Sequence, residues 1–177
     1  PSRIYPQKNL FSHILGQTDD ANEGISGIEK FFDKMLVDKK KINLPLNLTL
    51  DSNLQYLIRQ ELAKAKSDFN YIGSAAILMN IENGEILSLV SLPDYDLNQR
   101  VEIKDDIYTN KITLGVYELG SVFKTFTIAA GLENKVINSS TMFNNLENSL
   151  TCDKYKISEH DKLPKDLSVE QILVRSS

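Results

Sequence analysis

The residues best able to do chemistry are a serine and a lysine three positions apart, Ser121 and Lys124. On a helix, residues three apart share a face, so the lysine amine can reach the serine hydroxyl. A serine hydroxyl becomes a strong nucleophile when a neighbouring base takes its proton, and a neutral lysine amine is such a base. The pair therefore predicts acyl transfer through a covalent serine intermediate.

The residues around this pair suit the same chemistry. Phe123, Phe126 and the apolar residues that follow predict burial, which favours the neutral form of an amine. Gly120 would let a substrate approach closely, and the free amides of a helix start favour a developing negative charge. A serine three residues before a lysine nevertheless arises about once by chance in a chain of this composition. The pattern needs support from the rest of the sequence.

The elements that must position the pair form a mixed α+β pattern with an antiparallel hairpin against helices. A helix with one apolar stripe is predicted at 28–36, a half-buried strand at 46–50, and a helix from Ser52 with Gln55 completing a capping box. The clearest β signal is a buried strand at 72–81 that returns at 85–92 through the turn Asn83-Gly84.

Two further helices are predicted in the second half of the chain. Residues 121–132 are apolar almost all round, which is typical of a helix buried on every side. The last helix is expected to start at Ser168, again with a glutamine, Gln171, three residues on. Its apolar positions are Val169, Ile172 and Leu173.

Composition narrows the function classes. Twenty Lys and Arg against 24 Asp and Glu give a net charge of −4, which argues against a nucleic-acid partner. The basic run Lys39 to Lys41 is interpreted as a solvated turn, and the single Cys152 as a passive thiol. No stretch approaches the ~18 to 20 apolar residues of a membrane span. The chain begins with Pro1, so we expect it to be a piece of a longer protein.

Three groups of residues invite a metal or a second chemistry, and each has a simpler explanation. They are His13 with His160; Asp19, Asp20 and Glu23; and Asp94 with Asp96. The histidines lack metal-ligand spacing, and the acidic run lacks the twelve-residue calcium-loop pattern. We expect a solvated loop histidine at 160, an exposed acidic turn, and aspartates that cap the backbone. No metal and no cofactor are predicted.

The sequence around the serine–lysine pair is a more specific signal than the pair itself. Tyr117 to Thr127 closely resembles the active-serine segment of class B penicillin-binding proteins. Further stretches resemble the same family in the same order; they are residues 3–6, 13–16, 24–29, 48–55, 83–93, 95–98 and 167–172. The resemblance implies an α+β penicillin-binding, serine transpeptidase-like fold. It implies that 1–43 are part of the preceding linker or pedestal region and that 44–177 are the N-terminal portion of the transpeptidase domain.

The resemblance also implies catalytic roles. Ser121 would attack the carbonyl of a D-Ala-D-Ala stem peptide, and Lys124 would take its proton, although the base in such enzymes is disputed. Ser176 would be the serine of the family's Ser-x-Asn motif and relay a proton to the leaving D-alanine. The implied function is a peptidoglycan D,D-transpeptidase that β-lactams inhibit. The Tyr-Glu-Leu-Gly form that ends at Gly120 favours the septal division enzyme.

The resemblance implies a setting as well. We expect a single-pass anchor upstream in the bacterial inner membrane, a periplasmic catalytic domain, and membrane-embedded division proteins as partners. One departure from the family is Leu119, where many members have proline. In addition, the 177 residues contain neither the Asn of the Ser-x-Asn motif nor the Lys-Thr-Gly motif, so the domain is expected to be C-terminally incomplete. Losing one oxyanion donor typically costs ~10²- to 10³-fold, so these residues alone are expected to be inactive.

Other readings of the same motif stay open. A β-lactam sensor shares the serine–lysine chemistry, but the stretch from Arg3 to Glu29 finds no match there. A structural division protein with a decayed site would have no reason to keep both Ser121 and Lys124. A β-lactamase would lack the long region before the domain.

Overall fold

The computed structural model describes residues 3–38, 44–99, 105–159 and 161–176. It contains two compact units, Pro1–Val116 and Tyr117–Ser177, which are described separately below. The basic run at 39–41 and His160 lie outside the described residues, so their interpretations stay predictions. The domain boundary expected after residue 43 also stays a prediction.

The first unit is a two-stranded antiparallel sheet with helices around it, as the α+β prediction requires. Its elements are α1 (Ser12–Leu15), α2 (Gly27–Phe31), α3 (Asp33–Leu36), α4 (Ser52–Phe69), β1 (Ser74–Met79), β2 (Ile86–Leu92) and α5 (Asp105–Tyr108). The predicted helix at 28–36 is thus confirmed as two short helices, α2 and α3.

Helix α4 begins where predicted but is capped by a different residue. Asp51 is the N-cap, and its carboxylate accepts from the amides of Asn53 at 2.8 Å and Leu54 at 2.9 Å. The capping box predicted between Ser52 and Gln55 is wrong, because the Gln55 side chain turns inward instead. Leu57, an apolar residue of α4, is 52% exposed.

Gln55 is the polar centre of the first unit, with 1% of its surface exposed. Its Nε2 donates to the carbonyls of Leu10 at 2.9 Å and Leu89 at 2.8 Å. Its Oε1 accepts from the Ser88 hydroxyl at 2.7 Å and the Leu89 amide at 2.9 Å. The amide therefore makes all four hydrogen bonds open to it and ties α4 to β2 and to the segment before α1.

The predicted hairpin is confirmed. Strands β1 and β2 pair antiparallel from Ser74↔Leu92 to Met79↔Ile86, and Gly84 adopts the left-handed φ of 77° that its turn requires. The two strands are buried to different extents. β2 carries buried Val90 and Leu92, whereas β1 is largely exposed, with Ile77 at 52%. The prediction of a buried β1 is wrong, because α4 packs chiefly on β2 and the described sheet has only two strands.

The strand predicted at 46–50 is also wrong, although the segment does meet the sheet. The Thr49 hydroxyl donates to the Ile86 carbonyl at 2.7 Å, and the Asp51 amide donates to the Leu87 carbonyl at 2.9 Å. These bonds fix the segment at the start of β2 but form no ladder. Alternation of apolar residues predicted the burial of Leu46 and Leu50, both half-buried, better than it predicted the pairing.

The two aspartates after β2 have different roles. Asp96 caps the backbone as expected, accepting from the Asn98 amide at 2.9 Å. Asp94 instead binds the Arg59 guanidinium through two hydrogen bonds, 2.6 Å from Nε and 3.1 Å from a terminal nitrogen, and accepts from the Asn9 amide at 3.1 Å. The hydrogen bond to Asp94 raises the pKa of Arg59. The expectation that Asp94 caps the backbone is therefore wrong.

The acidic residues near the N-terminus behave as expected from a turn. Asp19 accepts from the Glu23 amide at 2.9 Å through its side chain, and its own amide donates to the Glu23 carbonyl.

Buried Glu29 pairs with Arg3 at 3.2 Å and accepts from the Tyr5 hydroxyl at 3.2 Å. Burial, followed by the charge of Glu29, raises the pKa of Tyr5 to about 12.

His13 joins the N-terminal segment to the loop after β2. Its Nε2 lies 2.7 Å from the Ile107 carbonyl and its Nδ1 lies 3.5 Å from the Ser12 hydroxyl, while its ring meets the Tyr95 ring edge-on at 5.3 Å. A neutral ring that donates from Nε2 satisfies this geometry. Burial is the largest influence and lowers the pKa of His13, against the opposing effects of the Ile107 carbonyl and the Asp94 charge.

We expect acid to destabilise the first unit through His13. Because its pKa is lower in the folded state than the ordinary 6.5, the unfolded chain binds the proton more readily. The free energy of unfolding should therefore fall as the pH drops below about 6.5, and level off below the folded pKa. Urea unfolding at pH 7.5 and pH 5.5 should show a smaller loss in His13→Gln, which keeps a donor but does not titrate. Equal losses in both proteins would contradict this assignment.

The second unit combines a 3₁₀ turn, two helices and two small antiparallel pairs. Its elements are η1 (Gly120–Phe123, the 3₁₀ turn), α6 (Lys124–Glu133), β3 (Met142–Phe143), β4 (Ser149–Cys152), β5 (Tyr155–Ser158), β6 (Leu167–Ser168) and α7 (Val169–Arg175). β3 pairs with β6 and β4 with β5. Leu167 and Val169, 1% and 3% exposed, form its buried centre. Across the described ranges, no helix of either unit is long and apolar enough to span a membrane.

Candidate active site

Ser121 lies in the 3₁₀ turn that leads into α6. Gly120 before it has φ 55°, a conformation that favours glycine, and a Cβ built there would meet no atom within 4 Å. The space beside the serine is therefore open on this side. The Ser121 side chain is exposed, and its hydroxyl makes no hydrogen bond to any residue that the structure describes.

Lys124 is the first residue of α6 and is half-buried. Its Nζ lies 3.3 Å from the Ser176 hydroxyl oxygen and also donates to the Ser176 backbone carbonyl. The hydrogen bond expected from Lys124 to the Ser121 hydroxyl is not formed in this structure. The structure instead brings together Lys124 and Ser176, which are far apart in the sequence.

Ser176 is the C-cap of α7. Its backbone is left-handed, with φ 58° and ψ 36°, and its amide donates to the Leu173 carbonyl at 3.2 Å. The start of α7 carries the predicted capping box: the Gln171 amide donates to the Ser168 hydroxyl at 3.1 Å, and the Ser168 amide donates to Gln171 Oε1 at 3.0 Å. Both ends of the helix that presents Ser176 are thus fixed.

The burial predicted for the serine–lysine helix is wrong. Phe123 is 57% exposed and Phe126 62%, although the two rings lie 5.6 Å apart. A helix that is apolar on all sides needs neighbours on all sides, whereas in the second unit α7 is the helix that packs against α6. The apolar composition of α6 predicted that it would be helical, but composition alone could not show how many elements pack against it.

The sequence pattern missed the β4–β5 hairpin. One local signal is Asp153, which takes a positive φ of 52° in the turn, a conformation that aspartate tolerates. Cys152 lies in β4 and is exposed, with its thiol free. Within the described ranges no three His, Cys, Asp or Glu side chains are grouped closely enough to hold a metal ion.

The arrangement supplies a nucleophile, an amine and a second hydroxyl. An exposed serine in a 3₁₀ turn, a lysine three residues later and a serine hydroxyl on the lysine amine are typical of serine–lysine acyltransferases. With the α+β fold that carries them, they define the class as a serine–lysine acyltransferase domain.

Comparison with known proteins agrees with that class. Residues 74–177 match the family described as "Penicillin binding protein transpeptidase domain". Because this match covers more than half of the chain, the protein belongs to the penicillin-binding protein transpeptidase family.

Individual relatives point the same way. The chain is 34% identical over 80% of its length to "Probable peptidoglycan D,D-transpeptidase FtsI" of Caulobacter vibrioides, and spans 24% of that relative. It is 32% identical over 99% of its length to "Peptidoglycan D,D-transpeptidase FtsI" of Buchnera aphidicola, and spans 34% of it. A peptidoglycan synthetase from Bifidobacterium adolescentis shares the fold, with a TM-score of 0.80 over 99% of this chain and 36% of the other, at 17% identity. The chain thus spans a quarter to a third of these curated relatives.

Proposed function

We propose that the protein is a peptidoglycan D,D-transpeptidase, with Ser121 as nucleophile, Lys124 as base and Ser176 as proton relay. The observation that carries the proposal is the contact of Lys124 Nζ with the Ser176 hydroxyl at 3.3 Å. Lys124 is the first residue of α6, the helix that follows Ser121. An amine that contacts the Ser176 hydroxyl and lies three residues after Ser121 can take a proton from one serine and return it through the other.

The proposed reaction proceeds in two acyl transfers. The Ser121 oxygen attacks the carbonyl carbon of the penultimate D-alanine while its proton passes to the neutral Lys124 amine. The peptide bond then breaks, and the leaving D-alanine nitrogen takes a proton from the Ser176 hydroxyl, which Lys124 replenishes. An amine of a second stem peptide then attacks the carbonyl carbon of the resulting ester and gives up a proton to Lys124. The ester bond to Ser121 breaks, the Ser121 oxygen takes that proton back, and the cross-link is formed.

The open space beside Gly120 supports an extended peptide substrate. A Cβ at that position would meet no atom within 4 Å, so nothing in the described structure blocks approach to the serine from this side. The strained four-membered ring of a β-lactam would acylate the same oxygen. We therefore include β-lactams, together with D-Ala-D-Ala stem peptides, among the molecules the protein binds.

The cellular setting is proposed from the relatives. Two of them are named peptidoglycan D,D-transpeptidase FtsI, one of them as probable, which supports a role in peptidoglycan synthesis. From the family resemblance of Tyr117 to Gly120 we extend the proposal to septal wall synthesis, with an inner-membrane anchor and a periplasmic catalytic domain. Residues 44–177 would be the front portion of the transpeptidase domain, and 1–43 part of the preceding linker or pedestal. Membrane-embedded division proteins would be its partners.

The proposal is tested by release of D-alanine. The full gene product that contains these residues is incubated with a synthetic stem pentapeptide ending in D-Ala-D-Ala and with an acceptor amine. Free D-alanine and an equal amount of cross-linked product are expected over many turnovers. One equivalent of acylation by benzylpenicillin without D-alanine release would instead indicate a β-lactam sensor. The absence of both acylation and D-alanine release would indicate a structural protein.

A further inference from the structure

We propose that the left-handed backbone of Ser176 is a positioning device that holds Lys124 by a backbone carbonyl as well as by a hydroxyl. The inference rests on the proposed acyl-transfer function and adds a role that the side chain alone does not explain. Both acceptors that the described residues offer to Lys124 Nζ, the Ser176 carbonyl and its hydroxyl at 3.3 Å, come from the same residue.

The conformation of Ser176 is unusual for its residue type. Four of the seven non-glycine residues with positive φ among the described residues are Asn or Asp, which tolerate this region. A helix commonly ends on a left-handed residue, but glycine is the usual choice there because any Cβ is penalised. Serine at φ 58° therefore accepts strain that glycine would avoid.

The geometry of α7 shows what this strain achieves. The helix is fixed at its start by the capping box and by the bond from the Val169 amide to the Thr141 carbonyl at 3.0 Å, and Val169 is 3% exposed. At its end the left-handed turn rotates the Ser176 carbonyl off the helix axis, so that it can accept from Lys124. A right-handed residue would keep that carbonyl in the direction of the helix axis.

Two hydrogen bonds from one residue restrict the Lys124 side chain strongly. A neutral amine has two N–H donors and one lone pair, so donation to the two Ser176 acceptors leaves the lone pair free to take the proton of Ser121. A lysine side chain loses rotamer entropy when it is ordered, so a second anchor reduces the cost of ordering it in each catalytic cycle. Lys124 is accordingly the catalytic residue and the Ser176 backbone is the positioning group.

Three variants at this position, compared with the wild type, separate the effect of the Ser176 backbone from that of its hydroxyl. Wild-type Ser176 and Ser176→Thr both carry a hydroxyl, but a β-branched residue strongly disfavours positive φ. Ser176→Gly and Ser176→Ala both lack it, but glycine adopts positive φ freely. The readout is the maximal rate of acylation of the full gene product by a fluorescent penicillin, fitted separately from the concentration at half-saturation. Thermal unfolding of each variant confirms that it is folded.

The proposal predicts a difference within each pair. Ser176→Gly should acylate about fivefold or more faster than Ser176→Ala, the ratio that corresponds to an ~1 kcal/mol conformational penalty. Ser176→Thr should be slower than wild type by at least the same factor, with the half-saturating concentration little changed. Equal maximal rates within either pair would overturn the proposal. If the wild-type protein itself is not acylated, the proposed function fails instead.

Discussion

Replacing Lys124 by methionine should slow acylation by a β-lactam roughly 10²- to 10⁴-fold, the contribution of a positioned general base. Methionine fills a similar volume but cannot take the Ser121 proton, and it cannot hold the Ser176 hydroxyl, which lies 3.3 Å from Nζ in the native protein. The measurement is the second-order acylation rate of the full gene product with a fluorescent penicillin.

Two further variants sharpen this prediction. Lys124→Arg should be almost as slow as Lys124→Met, because a guanidinium does not lose its proton in a protein. Lys154→Met, in the turn of the β4–β5 hairpin where the amine lies 5.4 Å from the centre of the Tyr155 ring, should acylate at the native rate. If Lys124→Arg retained the native rate, Lys124 would serve as a fixed charge and the assignment of the base would be wrong.

Replacing Gln55 by leucine should lower the free energy of unfolding by about 3 to 5 kcal/mol. Leucine has nearly the same size, so no large cavity forms. Four polar groups would however lose their partners: the Leu10 carbonyl, the Ser88 hydroxyl, and the amide and carbonyl of Leu89. Each buried group left unsatisfied costs about 1 to 3 kcal/mol, and local rearrangement recovers part of the sum.

The same helix offers a matched control for Gln55. Gln60, also in α4, is exposed, so Gln60→Leu removes the same side chain without removing a buried network. Its free energy of unfolding should change by no more than about 0.5 kcal/mol. Urea unfolding followed by circular dichroism compares the two variants. Equal effects of the two substitutions would show that the buried amide network does not stabilise the first unit.

Much of the local structure follows from local chemistry. The β1–β2 turn was predictable because Gly84 must adopt a positive φ, and the start of α7 because Ser168 and Gln171 satisfy each other's backbone amides. Such signals depend on a few neighbouring residues. They therefore predict where elements begin and turn without any knowledge of the tertiary structure.

Burial and long-range partners could not be predicted in the same way. Phe126 and Ile77 are apolar in segments that suggested a buried helix and a buried strand, yet they are 62% and 52% exposed, because burial depends on how many elements pack against a segment. Gln55 looked like half of a capping box, and only the position of β2 makes it a buried centre. The available signal was a glutamine among the apolar residues Leu54, Ile58 and Leu62 of α4.

In the candidate site, too, the identities of the residues were predictable from the sequence but one of their contacts was not. The resemblance of the segment around Ser121 and Lys124 to a known family predicted which residues matter. It did not predict that the Ser176 carbonyl binds Lys124, because that contact depends on a backbone conformation, φ 58°, at the end of a helix. A left-handed serine has no signature in sequence alone.

The central claim, that Ser121 is the acylated nucleophile, is tested most directly by intact-mass spectrometry of the full gene product after exposure to benzylpenicillin. The native protein should gain the mass of one benzylpenicillin, Ser121→Ala should gain none, and Ser158→Ala, which removes an exposed serine of β5, should gain the same adduct as the native protein. An adduct that persists in Ser121→Ala would place the nucleophile elsewhere, and the absence of an adduct on the native protein would contradict the proposed acyl-transfer chemistry.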